Sequence, residues 1–171
     1  MKNIYLVGFM GTGKTVVGRE IARHKNWRFL DLDELIELKE KTAITEIFAK
    51  KGEPYFRKVE SKALKEVAKE KNFVVACGGG IVIDPENIKT MKETGLMICL
   101  AAGAEVILKR ISGHTHRPLL NVPDPRKQVE LLLKLRAPYY AKAHKNIDTS
   151  KLSVKEVVNR ILKIARSPRI G

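Results

Sequence analysis

Residues 8–15 read G-F-M-G-T-G-K-T, a complete phosphate-binding loop (P-loop), and they directly follow an apolar run, residues 4–7. The glycines let the backbone curl so that successive N–H groups point inward at phosphate oxygens. Lys14 supplies a charge for the β- and γ-phosphates, and the Thr15 hydroxyl is suited to ligate Mg²⁺. An apolar strand before the loop and a helix after it are the context that this motif requires, so we expect the protein to bind ATP or GTP.

A second polar motif, D-L-D, ends the next apolar run and contains Asp31 and Asp33. The two-residue period of a strand predicts both carboxylates on one side, at the sheet edge that also holds the P-loop. One carboxylate near Mg²⁺ and another near a substrate hydroxyl would suit phosphoryl transfer to an alcohol. The alternative is that Asp33 only caps the following helix.

Three consecutive glycines, Gly78, Gly79 and Gly80, follow a third apolar run. They contribute no side-chain packing and cost backbone entropy, so their presence needs a reason. One interpretation is a plain turn. We favour the other, in which a ligand approaches the backbone so closely that no Cβ fits, because the triplet also lies at the P-loop edge of the sheet.

Three arginines are candidates for binding anions. Arg57 and Arg136 each suit a two-pronged grip on a carboxylate, although either alone also fits an ordinary surface position. Arg117 lies in residues 112–124, which are rich in Gly, Pro and His and have no apolar period. We interpret that segment as a lid that closes over bound substrate and brings Arg117 to the phosphates.

Alternating apolar runs and amphipathic segments predict the elements that position these groups. The predicted strands are 3–7, 27–30, 73–76, 96–101 and 146–148, and the predicted helices are 14–24, 33–38, 54–69, 85–93, 104–111, 125–142 and 154–165. This pattern predicts an α/β fold, a three-layer sandwich with a central parallel sheet of about five strands, of the P-loop NTPase type. We expect a single domain over residues 1–171, with the lid at about 112–124 and a substrate-binding segment at about 33–61.

Composition narrows the class of partner. The net charge is +14, and half of it comes from residues 109–145, where nine Lys and Arg face two acidic residues. That charge suits a site for ATP and an anionic substrate; a nucleic-acid partner is the alternative.

Cys77 and Cys99 lie in apolar runs, which favours buried thiols and a cytoplasmic location. We expect no signal peptide, no membrane span and no disulfide.

Taken in order, these motifs resemble the shikimate kinase family. The set is G-F-M-G-T-G-K-T, D-L-D, F-R-x-x-E (Phe56, Arg57, Glu60), G-G-G, R-P-L (residues 117–119) and R-x-P-Y-Y, and the resemblance runs from Asn3 to about Thr149. The family's fold is similar to that of nucleoside monophosphate kinases. The chain lacks an apolar strand that ends in a separate Walker B aspartate. That absence is usual in this family, in which the residue matching Asp31 serves the metal.

The resemblance implies a role for each matching residue. Asp33 would hold the shikimate hydroxyls and orient or deprotonate the attacking 3-hydroxyl, while Arg57 and Arg136 would clamp the carboxylate. Arg110 would stack on adenine, aided by the loop around Asp148 and Thr149. The implied catalytic residues are Asp33, Lys14 and Arg117; the nucleotide-binding residues are Gly11, Thr12, Gly13, Lys14, Thr15, Val16, Arg110, Arg117 and Asp148; the substrate-binding residues are Asp33, Arg57, Gly78, Gly79, Gly80 and Arg136; and Mg²⁺ would meet Thr15 directly and Asp31 through water.

The sequence therefore predicts a monomeric, cytoplasmic enzyme that uses ATP and Mg²⁺ to phosphorylate the 3-hydroxyl of shikimate, with no nucleic-acid or membrane partner. Two rival interpretations remain open at this point. One is another P-loop kinase of a small metabolite, such as gluconate or a nucleoside monophosphate. The other is a nucleotide-dependent module that binds nucleic acid, which only the net charge supports.

Overall fold

A computed structural model describes residues 3–112 and 122–167 of the chain. Strands and helices alternate along it. The strands are β1 (Asn3–Val7), β2 (Arg28–Asp31), β3 (Phe73–Ala76), β4 (Gly95–Ala101) and β5 (Lys145–Asp148); the helices are α1 (Lys14–Lys25), α2 (Leu32–Glu40), α3 (Ile44–Val67), α4 (Pro85–Thr94), α5 (Ala104–Ile111), α6 (Pro125–Tyr140) and α7 (Val154–Arg166).

The five strands form one sheet in the order β2-β3-β1-β4-β5, and every neighbouring pair is parallel. The predicted central parallel sheet of about five strands is therefore confirmed. The register places the end of β2 beside the end of β3, with Asp31 opposite Ala76. Likewise the end of β1 lies beside β3, with Leu6 opposite Ala76. The segments that follow these three strands therefore meet at one edge of the sheet.

Helices cover both faces of the sheet, and the alternation of side chains along β1 shows how. Tyr5 and Val7 join the core formed with α2, α3 and α4, whereas Ile4 and Leu6 join the core formed with α1 and α7. All four side chains are buried. A strand with four consecutive buried hydrophobic side chains, residues 4–7, fits a central position between two helical layers. Strand β1 therefore lies between two apolar cores, one on each face of the sheet.

Each predicted helix is present at about its predicted position, but one helical segment, the first part of α3, was not predicted. Helix α3 begins at Ile44 rather than at residue 54, and its backbone breaks at Gly52, where φ is 81°. The predicted start at 54 thus matches the part beyond the break. The part before it buries only Ile47, so its apolar pattern is too sparse to predict a helix. Within the described ranges, no helix is both long and apolar enough to cross a bilayer.

Candidate active site

The P-loop connects β1 to α1 and has the backbone that its glycines predict. Gly8 has φ of 137°, and a Cβ there would collide with the carbonyl oxygen of Leu100 on β4. Gly13 has φ of 99° and precedes α1, whose first turn has no side-chain cap. N–H groups at a helix N-terminus point toward an incoming anion, and the helix dipole favours a negative charge there.

Lys14 and Thr15 stand at the start of α1. The Lys14 ammonium lies over the loop, 2.7 Å from the carbonyl oxygen of Gly8 and 2.9 Å from that of Phe9. The Thr15 hydroxyl is 3.4 Å from Oδ2 of Asp31. The loop thus presents backbone N–H groups, a cation and a hydroxyl–carboxylate pair together. Phosphate and Mg²⁺ require these groups, and hard oxygen donors are the ones that Mg²⁺ prefers.

The predicted geometry of the D-L-D motif was wrong in one respect. Strand β2 ends at Asp31, and Asp33 already lies in the first turn of α2. The cap of α2 is Asp31, whose Oδ1 accepts from the N–H groups of Asp33 at 3.0 Å and Glu34 at 3.3 Å. Asp33 is therefore not the cap, and the turn of the helix, not the pleat of a strand, directs its side chain. Asp31 keeps Oδ2 toward Thr15 while Oδ1 serves the helix.

Asp33 is largely buried, and its Oδ1 has no hydrogen-bond partner among the described residues. Burial is the main reason that the pKa of Asp33 rises to about 6, and the neighbouring charge of Asp31 adds to it, against the opposing effect of Lys14. A buried carboxylate oxygen without a partner is costly, so this position has a use beyond folding. It can accept a hydrogen bond or a proton from a ligand at near-neutral pH.

The side chains of Asp33, Arg57 and Arg136 lie against the backbone of the glycine triplet. A Cβ on Gly78 would lie 3.0 Å from Oδ1 of Asp33, and one on Gly79 would lie 3.1 Å from Nη1 of Arg136. A Cβ on Gly80 would overlap the guanidinium of Arg57. Protein side chains, not a ligand, therefore occupy the space that Cβ atoms here would need, and the close approach of a ligand to this backbone stays a prediction. Asp33, Arg57 and Arg136 come together over three consecutive residues.

Glu60 is a further member of this cluster, to which the sequence analysis assigned no role. It is 0% exposed, and its Oε1 accepts from Nη1 of Arg57 at 2.8 Å. Its Oε2 has no partner among the described residues and lies near Gly78. Burial raises the pKa of Glu60 to about 7, although Arg57 opposes that rise. The spacing of three between Arg57 and Glu60 on one helix was the available signal.

Arg136 and Tyr140 reach the triplet from α6. The Tyr140 hydroxyl donates to the carbonyl oxygen of Gly79 at 2.7 Å, and burial raises the pKa of Tyr140 to about 12, so it stays a neutral donor. The guanidinium of Arg136 lies 5.6 Å from the centre of the Phe9 ring in the P-loop. Helix α6 therefore holds the glycine backbone and carries an arginine between the triplet and the P-loop.

Arg110 and Asp148, both predicted to bind the nucleotide, lie on the other side of the P-loop. Arg110 donates to the carbonyl oxygen of Gly11 at 3.1 Å and contacts Thr149. Oδ1 of Asp148 accepts from the N–H of Ser150 at 2.9 Å, and hydrogen bonding by the side chain and then the backbone of Ser150 lowers the pKa of Asp148. Val16 is 55% exposed beside the loop. Arg117 and most of the predicted lid lie outside the described residues.

Comparison with known proteins gives a consistent answer. The family model described as "Shikimate kinase" matches residues 10–166. A shikimate kinase of Thermoanaerobacter pseudethanolicus is 43% identical over 163 residues, which cover 95% of each chain. A solved structure, the shikimate kinase of Acinetobacter baumannii in complex with shikimate, superposes with a TM-score of 0.92 at 38% identity, covering all of this chain and 96% of the other.

A gluconokinase structure from Sinorhizobium meliloti gives a useful contrast. It superposes with a TM-score of 0.64 over 96% of this chain and 93% of its own, but at 16% identity. Similarity at that level extends to the fold and no further. The rival interpretation as a gluconate kinase therefore gains no support beyond the shared architecture.

Proposed function

This chain belongs to the shikimate kinase family, and we propose that the residues described above transfer the γ-phosphoryl group of ATP to the 3-hydroxyl of shikimate. The products are 3-phosphoshikimate and ADP. The observation that carries this assignment is the convergence of Asp33, Arg57 and Arg136 on the glycine triplet, one strand away from the P-loop. An anionic, hydroxylated substrate and a nucleoside triphosphate thus have adjoining sites.

We assign the substrate carboxylate to the two arginines. Their guanidiniums lie against adjacent residues, Gly79 and Gly80, so both can reach one anion. Arginine matches the planar geometry of a carboxylate with two parallel N–H bonds. Glu60 holds Nη1 of Arg57 and so sets its direction, while Tyr140 fixes the glycine backbone beneath Arg136.

We assign the reacting hydroxyl to Asp33. Its buried Oδ1, which has no hydrogen-bond partner in the described part of the chain, can accept the hydrogen bond of the 3-hydroxyl and take up its proton as the new P–O bond forms. The bond that breaks joins the γ-phosphorus to the oxygen bridging it to the β-phosphate. Lys14 offsets the charge on the phosphates, and the N–H groups of the P-loop hold them in place, so that positioning and electrostatics supply most of the catalysis.

The donors at Thr15 and Asp31 fit Mg²⁺, because a hydroxyl and a carboxylate oxygen lie 3.4 Å apart beside the phosphate loop. When bound, Mg²⁺ would neutralise charge on the β- and γ-phosphates. Thr15 would ligate it directly, and Asp31 would hold its water. Arg117 would add a further positive charge when the predicted lid closes.

We also propose that the enzyme works as a monomer in the cytoplasm without a nucleic-acid partner. Cys77 and Cys99 are both free and buried, which fits a reducing compartment. Sedimentation of the pure protein with and without a short duplex DNA tests the monomer and the absence of a nucleic-acid partner together.

A substrate panel tests the function. With Mg·ATP present, release of ADP should depend on shikimate and should be at background level with gluconate or a nucleoside monophosphate. Faster turnover on gluconate than on shikimate would reject the assignment. Equal ADP release with and without shikimate would show an ATPase instead.

The two buried carboxyl groups predict how activity depends on pH. Asp33, with a pKa of about 6, and Glu60, with a pKa of about 7, both titrate near neutrality in the free enzyme. Asp33 must be ionised to accept a proton, and an ionised Glu60 holds Arg57 more strongly. We therefore expect kcat/KM for shikimate, at saturating Mg·ATP, to rise between about pH 5 and pH 8, since it reports the ionisations of the enzyme–Mg·ATP complex before shikimate binds.

The variant Glu60→Gln isolates the contribution of Glu60. The variant should keep the rise near pH 6, which belongs to Asp33, and lose the part near pH 7. Glu53→Gln is the matched control, because Glu53 also contacts Arg57 but is exposed. A pH profile of Glu60→Gln identical to that of the parent enzyme would mean that Glu60 does not act on substrate binding.

A further inference from the structure

The side chain of His144 makes a contact that the proposed function does not use. His144 directly precedes β5, and its ring is half-buried. Its Nδ1 accepts a hydrogen bond from the backbone N–H of Met97 on β4 at 3.0 Å, and its own backbone N–H donates to the carbonyl oxygen of Met97 at 2.9 Å. Both polar backbone groups of Met97 are thus paired with one residue, and one of the two partners is a titratable side chain.

Strand β5 has four residues and forms one edge of the described sheet. Its ladder with β4 begins where Ile98 lies opposite Lys145, so the contact between His144 and Met97 closes the start of that ladder. The ring nitrogen serves there as the acceptor that a backbone carbonyl supplies further along the strands. Met97 is 0% exposed, so its N–H can reach water only if the start of β5 opens.

The contact requires an uncharged imidazole. A neutral histidine donates from one ring nitrogen and accepts with the other, so the N–H of Met97 fixes Nδ1 as the acceptor and Nε2 as the donor. An imidazolium carries a proton on both nitrogens and cannot accept. Proton uptake therefore removes the acceptor and turns two N–H groups toward each other. Histidine ordinarily takes up a proton at about pH 6.5, which is within the range that an enzyme meets.

The charges around this contact also disfavour an imidazolium. Lys92 of α4 lies close by, since its Nζ donates to the carbonyl oxygen of Lys142 at 3.2 Å. The titratable groups that neighbouring elements bring to this region are Lys92 and Glu93 from α4, Tyr5 from β1, Cys99 from β4, Tyr139 from α6, and Lys142 and Lys145 on either side of His144. Burial raises the pKa of Tyr5 and of Cys99, so both stay uncharged. Three ammonium groups and one carboxylate leave the region positive.

We propose that His144 is a pH-sensitive contact that holds the start of edge strand β5 to β4 when its imidazole is neutral and releases it when its imidazole is charged. The stability that this bond provides is fully present above about pH 6.5 and is lost as the pH falls below that value. Asp33 and Glu60 act with the opposite sign, because burial favours their protonated forms. Acid thus opens one edge of the sheet while the central strands stay paired.

Hydrogen exchange of the segment 144–149, measured by mass spectrometry at pH 5 and pH 8, tests this. His144→Asn is the informative variant, because Oδ1 of asparagine has the same place in the side chain as Nδ1, accepts a hydrogen bond and does not titrate. At pH 5 we expect β5 to exchange roughly tenfold faster in the parent protein than in the variant, the factor that corresponds to one lost hydrogen bond. At pH 8 the two proteins should agree.

Two further variants serve as controls. His144→Ala removes the acceptor at every pH, so its β5 should exchange faster than that of the parent protein already at pH 8. His24→Asn makes the same chemical change at an exposed position on α1 and should keep the acid response of the parent protein. Comparing proteins at one pH cancels the intrinsic pH dependence of exchange. Strand β3, next to the centre of the sheet, is the internal reference and should not differ between parent and His144→Asn at either pH.

Three outcomes would overturn the inference. Equal exchange of β5 in the parent protein and in His144→Asn at pH 5 would show that the charge of the imidazole does not release the strand. Faster exchange of β3 together with β5 would indicate unfolding of the whole sheet. Exchange in His144→Ala equal to that of the parent protein at pH 8 would show that the bond to Nδ1 does not hold the strand. Since no nucleotide or acceptor is added, the result is independent of the proposed function.

Discussion

Replacing Asp33 by Asn should lower kcat by roughly 10²- to 10⁴-fold, the range for losing a positioned general base, while leaving the affinity for Mg·ATP nearly unchanged. Asparagine keeps the size of the side chain but cannot take up the proton of the 3-hydroxyl. Rapid-mixing measurements of the phosphoryl-transfer step, together with nucleotide titration, separate the two effects. Glu34→Gln is the matched control, since Glu34 lies in the same turn of α2 and is exposed.

The melting temperature of Asp33→Asn should depend on pH differently from that of the parent enzyme, and measuring it also shows whether the variant is folded. The pKa of Asp33 is raised to about 6 in the folded protein, so folding favours the protonated form. The stability this provides is fully present below the ordinary value of 3.8 and is lost as the pH rises through about 6. Asp33→Asn removes that loss, so its melting temperature should exceed that of the parent enzyme at pH 8 and converge with it near pH 4.

Asp31→Asn should behave differently from Asp33→Asn. Asp31 faces Thr15 and caps α2, and it does not reach the triplet in the way Asp33 does. We expect a higher Mg²⁺ concentration for half-maximal activity, because a carboxylate near the metal site is lost. Matching Mg²⁺ titrations for the two variants would mean that the two roles are divided wrongly.

The second large effect is expected at the arginine pair. Arg136→Ala and Arg57→Ala should each weaken shikimate binding by roughly 2 to 4 kcal/mol, the effect of truncating one partner of a buried charged pair. Affinity for ATP should change little, because the P-loop binds the phosphates separately. Titration with each ligand alone measures both quantities.

Arg136→Ala is the cleaner of the two variants. Arg57 also pairs with the buried Glu60, so Arg57→Ala leaves a buried carboxylate without its cation and lowers stability as well. Arg126→Ala is the control on the same helix, because Arg126 is exposed and pairs with surface glutamates. Loss of ATP binding with shikimate binding preserved would reverse the assignment of these arginines.

Local patterns predicted the sheet and the P-loop well. The β1 strand, the glycine-rich loop and α1 are specified within a few residues of one another, and the structure places them at the predicted bounds to within one residue. The D-L-D motif shows the limit of such patterns. A strand period assigned both carboxylates to one face, but the strand ended at Asp31 and the helix began at once, so helical geometry decided the direction of Asp33.

Contacts between distant segments could not be derived from pattern alone. Arg57, Arg136 and the triplet are separated by tens of residues, and only the resemblance to a family joined them before the fold was known. The burial of polar side chains could not be predicted from the sequence either. Glu60 belongs to a motif shared with the family, but its sequence position alone does not show that its side chain is enclosed beside Arg57 and Gly78.

The most direct test of the central claim is phosphorus NMR of a reaction containing the protein, Mg·ATP and shikimate. We predict one new phosphomonoester signal per ADP formed, coupled to the proton on carbon 3 of the ring. ADP accompanied by inorganic phosphate alone, or a phosphomonoester coupled to the proton on another ring carbon, would contradict the account of how Asp33 and the two arginines orient the substrate.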